Sequence, residues 1–171
     1  MIGFVDESKE RGLILACTVA SPGDVVAARR VLNGLRMKGQ RRLHFKSESD
    51  SRRRLICSSL VTLPVTVRIY QTKGKADRSS RAWALDAVVR DLAAVQGTRL
   101  VIERDDSLMQ ADRAALFQSV RAHAVPDLRY EHPSAHQEPL LWVSDAVAWC
   151  YAKGGQWRSR VDPIIEGVTL I

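Results

Sequence analysis

The sequence predicts an α/β domain built on a mixed sheet, and three observations predict it. Two short apolar runs, 2–5 and 13–20, open the chain with only a charged turn between them, the spacing of an antiparallel hairpin. Downstream, apolar stripes at helical spacing alternate with β-rich runs, an order that builds a mostly parallel sheet with helices on its faces. Near the end lies a helix with almost no polar side.

The first run is too short and too interrupted for a helix, and Ile2, Phe4 and Val5 favour a strand that ends at Asp6, Glu7 and Ser8. Gly12 helps the turn that follows Lys9, Glu10 and Arg11. Ser21-Pro22-Gly23-Asp24 breaks the second strand and caps a helix with Val25, Ala28, Leu32 and Leu35 on one face. Ser49-Asp50-Ser51 opens a second helix, which must stop before Pro64. Residues 65–70 alternate as a strand. Residues 71–80 form a polar loop with Lys73, Lys75 and Arg78, and Ser79 or Ser80 caps a helix closed by Gly97. Leu100-Val101-Ile102 is a buried strand ending at Glu103-Arg104-Asp105-Asp106, with Asp106 expected to cap the helix that follows and ends near Pro126. A short strand is expected over 128–132, then a helix over 140–153 that Pro139 starts and Gly154-Gly155 stops. The tail has no clear period, beyond a possible strand at 168–171.

With 171 residues, no repeats and no linker, the chain reads as one domain, 1–171. A net charge of +7 and a pI near 9.8 suit a polyanionic partner or simply a soluble surface. Cys17, Cys57 and Cys150 lack zinc or redox spacing and read as buried thiols of a reducing compartment. No leader and no apolar run of about 20 residues is present, so a cytoplasmic protein with no membrane partner is expected.

The chemistry rests on acids. Asp145 sits mid-way along the apolar helix, where an unpaired carboxylate costs several kcal/mol and therefore calls for a proton, a partner or a metal. Asp6 ends the first strand. Glu103 and Asp105 end a later one, and functional groups gather at the carboxyl ends of strands in open α/β sheets. His44 and Glu48 share a face whether their segment is helical or extended. Convergent carboxylates suit Mg²⁺ or Mn²⁺, and two such ions about 4 Å apart activate water and stabilise the leaving oxygen in phosphodiester cleavage. The metal candidates are therefore Asp6, Glu48, Glu103, Asp105 and Asp145. Catalysis is expected from Asp6, Glu48, Asp105 and Asp145, with His44 relaying a proton.

Residues 29–54 carry eight arginines and two lysines against Glu48 and Asp50. Such a cluster fits a nucleic-acid backbone, RNA or DNA, with Arg41, Arg42, Lys46, Arg52 and Arg53 as contacts. Trp83, Trp142 and Trp149 read as core, and Trp157 as the one candidate for base stacking.

The order of elements and acids resembles the RNase H-like nuclease superfamily: an acid on the first strand, an antiparallel strand, an acid after a helix, an acid at a later strand end and an Asp on the last helix. Phe4-Val5-Asp6-Glu7-Ser8 and Leu140-Leu141-Trp142-Val143-Ser144-Asp145-Ala146-Val147-Ala148 more closely resemble a bacterial family of unassigned function (DUF3800-like), itself regarded as RNase H-like. The resemblance implies an RNase H-like mixed sheet, a divalent-metal nuclease, Asp6 and Asp145 as the outer acids, Glu48 as the middle acid and Asp105 or Glu103 as the strand-end acid. The chain departs from that pattern in lacking a third strand before its first helix and in having an extra helix–strand unit. The rival reading is a non-catalytic nucleic-acid- or protein-binding module on the same scaffold. No phosphate loop, Asp-x-Asp phosphatase motif or nucleophile elbow supports small-molecule phosphoryl transfer, or a hydrolase using Ser8 with His44 or His136.

Overall fold

The computed structural model describes residues 1–9, 12–72 and 77–171. Glu10, Arg11, Lys73 and Lys75, expected in two loops, lie outside the described residues. Strand β1 (Ile2–Ser8) runs antiparallel to β2 (Ile14–Ala20), with Asp6 opposite Ala16, and Gly12 adopts the positive φ of 87° the turn requires. Helices α1 (Val25–Gly34) and α2 (Asp50–Leu60) follow, with a 3₁₀ turn at Phe45–Ser47 between them. Strand β3 (Val65–Gln71) then pairs antiparallel with β2. Helix α3 (Arg78–Ala94), strand β4 (Arg99–Ile102), helix α4 (Met109–Ala122) and strand β5 (Arg129–Glu131) form the parallel side. Helices α5 (Leu140–Lys153) and α6 (Gly155–Val161), a 3₁₀ turn at Asp162–Ile164 and strand β6 (Ile165–Leu170) complete the chain. The sheet order is β5-β4-β1-β2-β3-β6.

The alternation of strand side chains sorts two cores onto the two faces. Phe4, Ile14, Ala16 and Val101 pack with α1, α2, α5 and α6, whereas Val5, Leu15, Cys17 and Leu100 pack with α3 and α4. By that parity Asp6 faces α5 and Glu7 faces α3. Strand β2 is buried along its whole length, as a central strand covered on both faces should be. Among the described residues no helix is long and apolar enough to cross a membrane.

No third strand precedes α1, as expected; the third antiparallel strand is β3, which matches the strand expected over 65–70 and is reached only after α1 and α2. Four expectations are corrected. The cap of α3 is Asp77, which accepts from the backbone N–H of Ser80 while the Ser80 hydroxyl accepts from that of Asp77. The tail contains α6, too short to display a period. Trp83 is 61 % exposed on α3, not core. Trp157 is buried, its ring edge-on to Trp149 at 5.7 Å, so it is not placed to stack on a base. The three cysteines are free and buried, and the thiols of Cys57 and Cys150 meet at 3.8 Å between α2 and α5.

Candidate functional site

Two buried polar residues, Ser144 of the apolar helix α5 and Thr18 of β2, decide where Asp145 sits. The Ser144 hydroxyl donates to the carbonyl of Phe4 at 2.8 Å, so its oxygen is left to accept from Thr18 at 2.7 Å, and Ser144 and Thr18 are fully buried. This bond ties α5 to β1 and β2 and sets Asp145 beside Asp6. Ser144→Ala should strip Thr18 of its buried acceptor and cost about 1–3 kcal/mol. Urea denaturation checks this as a lower midpoint at unchanged slope.

Asp6 and Asp145 are half-buried. The backbone N–H of Glu7 donates to Asp6 Oδ1 at 2.7 Å, and that of Phe45 to Asp145 Oδ2 at 3.0 Å. Asp6 is held well above the usual carboxylate pKa, first by burial, then by a side-chain hydrogen bond with Glu103 and the charges of Asp145 and Glu103, with Arg42 partly offsetting them. Asp145 is raised by burial and by Glu103, against the opposing pull of the Phe45 N–H, His44 and Arg42. The structure thus brings Asp6, Glu103 and Asp145 together, with the Arg42 guanidinium on Glu103 at 2.8 Å. Glu103 shares the α5 face because its N–H extends the β1 pairing by donating to the Val5 carbonyl, two residues beyond Val101.

The other acids are engaged elsewhere. Asp105 accepts from the Ser107 N–H at 2.9 Å and the Ser107 hydroxyl at 2.6 Å, bonds that hold it below the usual carboxylate range. It therefore makes the turn before α4, the part expected of Asp106, although it still lines the cavity next to Asp6. Asp106 pairs with Arg104 on the surface. Glu48 is buried and is bound by Gln40 at 2.8 Å and by Arg52 at 3.3 Å. His44 ends up on the rim with Ser47 at 3.0 Å, in the same cavity as Asp145.

The basic residues divide as well. Arg52 reaches Glu48 and the carbonyl of Leu35. Arg53 holds the 3₁₀ turn by donating to the carbonyls of Phe45 at 3.0 Å and Lys46 at 2.6 Å, and its guanidinium lies 4.5 Å over Trp149. Both arginines shape the turn that aims the Phe45 N–H at Asp145. Arg41 and Lys46 are exposed. One cavity, of about 530 Å³, lies beside Asp6 and Glu103 and includes Arg81 and Arg104. A second, of about 380 Å³, lies beside Asp145 and includes His44, Lys46 and Trp149, and both reach Glu7 and Lys9.

Sequence reasoning passed over one group next to these acids. Arg81 on α3 is buried between Asp112 of α4 and Glu7 of β1. A signal existed: Arg81, Leu85 and Val88 share a helical face, as do Asp112, Leu116 and Ser119, so each charge sits in a buried stripe.

A mixed sheet in the order β5-β4-β1-β2-β3, entered through an antiparallel hairpin and covered by helices on both faces, is RNase H-like. The solved PCNA:RNase HII complex from Archaeoglobus fulgidus contains such a fold. The chain matches its RNase HII with a TM-score of 0.54 at 13% identity, over 87% of this chain and 70% of that one. No protein-family model matches the sequence. No curated protein matches it either.

Proposed function

We propose that the chain is a divalent-metal-dependent nuclease that hydrolyses phosphodiester bonds of RNA or DNA. What supports this reading is the placement of Asp6 and Glu103 along one cavity and of Asp145 along the next, the two sharing Glu7 and Lys9, at the carboxyl edge of an RNase H-like sheet. Among the described residues no group of three or more His, Cys, Asp or Glu is gathered in a form ready to hold an ion. The donor chemistry nevertheless fits Mg²⁺ or Mn²⁺. The three groups offer only oxygen, burial and mutual repulsion raise Asp6 and Asp145, and the Arg42 guanidinium binds Glu103.

Asp6, Asp145 and Glu103 would hold the metal, which when bound supplies a Lewis acid that activates water and stabilises the leaving oxygen. Glu48 and Asp105, with their present partners, support the turn and the loop around this cleft. Arg42, Arg41 and Lys46 bind the phosphodiester. Their position beside the acids orients the scissile group, and binding weakens with salt. His44 holds or delivers a proton at the leaving oxygen from the cavity it shares with Asp145.

Labelled single-stranded, duplex and RNA–DNA hybrid oligonucleotides incubated with Mg²⁺, Mn²⁺ or EDTA test the reading. Cleavage is expected with metal, none in EDTA, and none from Asp6→Asn. Tight binding without cleavage under every condition, unaltered in Asp6→Asn, would replace the nuclease with a binding module.

A further inference from the structure

A cavity of about 580 Å³ lies apart from the acid cleft, between α1, the start of β4 and the loop leading into α5. Arg29, Arg36, Arg99 and His136 line it, with Glu131 and Glu138. The two acids act on the arginines. Glu138 is 4 % exposed, accepts from Arg29 Nε at 3.1 Å and Nη2 at 2.5 Å, and also takes the Leu140 N–H at 3.1 Å. Glu131 accepts from Nε and Nη2 of Arg99. Each guanidinium has five N–H donors, so three stay available on both Arg29 and Arg99 while their planes are fixed. The Arg99–Glu131 pair has side chains 40 % and 45 % exposed, and a pair that open to water adds little stability.

The cavity is also in register with the acids. Strand parity places Arg99 and Glu103 on the α5 face with Val101, about 13 Å apart at about 3.3 Å per residue. Along α5, Pro139 at the cavity and Asp145 at the cleft are about 9 Å apart at 1.5 Å per residue. Arg36 bridges the interval: its Nη1 donates to the carbonyls of Gln40 and Arg41, next to the Arg42 that reaches Glu103. Phosphates of one helical strand recur about every 3.4 Å along the axis, so the interval is about three to four nucleotides.

We propose that this cavity is a second phosphodiester-binding subsite. It grips the backbone of the strand whose scissile phosphate lies at Asp6 and Asp145, three to four nucleotides away. The inference rests on the nuclease reading above.

Binding of fluorescent 12-nucleotide RNA, DNA and an RNA–DNA duplex in EDTA, followed by anisotropy over a range of salt, tests it. Arg36→Gln/Arg99→Gln is compared with Arg90→Gln/Arg113→Gln, which removes equal charge from exposed positions on α3 and α4 of the opposite face. The first variant should bind about tenfold more weakly, with the single-strand salt slope reduced by about 1.4, which is two contacts at about 0.7 each. The control should stay within about twofold. Arg36 forms no side-chain ion pair among the described residues, and Arg36→Gln alone should cost about threefold. Affinity unchanged in the first variant, or lost equally in the control, overturns the subsite while metal-dependent cleavage by the wild type leaves the nuclease standing. A wild type that neither binds nor cuts any of the three probes overturns both.

Discussion

Asp145→Asn should lose metal-dependent cleavage by at least about 10³-fold and yet melt at a higher temperature than the wild type in EDTA at pH 8. The first effect follows if Asp145 carries metal and transition-state charge, since deleting a group aimed at developing charge costs about that much. The second follows from the surroundings. Asp145 is raised by burial and by Glu103, so the folded protein holds a proton there at a pH where the unfolded chain has released it. Stability is then full below the ordinary carboxylate range and falls as pH rises towards the folded pKa. A neutral amide escapes that loss, and its oxygen still accepts from the Phe45 N–H. For a chain of this size each kcal/mol regained raises Tm by about 2–4 °C. Differential scanning calorimetry in EDTA at pH 4 and pH 8 checks the sign: the advantage should be large at pH 8 and shrink at pH 4. A variant less stable at pH 8 would make the carboxylate a structural pin.

Asp112→Ala should be the most destabilising single change outside the apolar cores, at about 3–5 kcal/mol, because it strands a buried guanidinium. Arg81 donates Nε to Asp112 Oδ1 at 2.7 Å and Nη2 to Oδ2 at 2.8 Å, with side chains only 7 % and 3 % exposed, and Nη1 meets Glu7. Removing Asp112 leaves Glu7 as the remaining carboxylate on Arg81, beside the strand end that carries Asp6. Replacing both partners together, Arg81→Met with Asp112→Leu, should recover most of the loss, since it removes the buried guanidinium with its carboxylate and leaves Glu7 paired with Lys9 at 2.6 Å. Guanidinium denaturation of the two variants separates the outcomes. Equal stability of Asp112→Ala and the wild type would show that Glu7 alone satisfies Arg81.

The outer acids were legible because burial patterns are. Asp6 ends a run whose alternation is visible, and Asp145 interrupts a helix with no polar side. Which of Glu103 and Asp105 shares the α5 face turned on parity, which the sequence does contain: Glu103 lies two residues past the inward Val101, whereas Asp105 has left the strand. Glu48 was not legible. Its even spacing from His44 suggested a common target in a helix or a strand, but the segment makes a 3₁₀ turn closed by Arg53, and Gln40 and Arg52 take the carboxylate. Trp83 sits on a helix rich in apolar residues, where composition hides which turn faces water. The strand at 65–70 was legible from its alternation, but its neighbour was not, because two helices intervene and only the pairing of Ala20 with Val65 shows where it joins the sheet.

That intervening segment has a kinetic consequence. The β1–β2 hairpin closes over residues 9–13, whereas β2 and β3 can pair only after residues 21–64 have been looped back. A loop roughly ninefold longer carries about 2 kcal/mol more closure entropy, so the hairpin should nucleate and the outer sheet should zip on late. The late segment is the one that carries Arg42 and the turn at Phe45. Folding therefore sets Asp6 on its strand early and brings in later the guanidinium and the N–H that temper the acids.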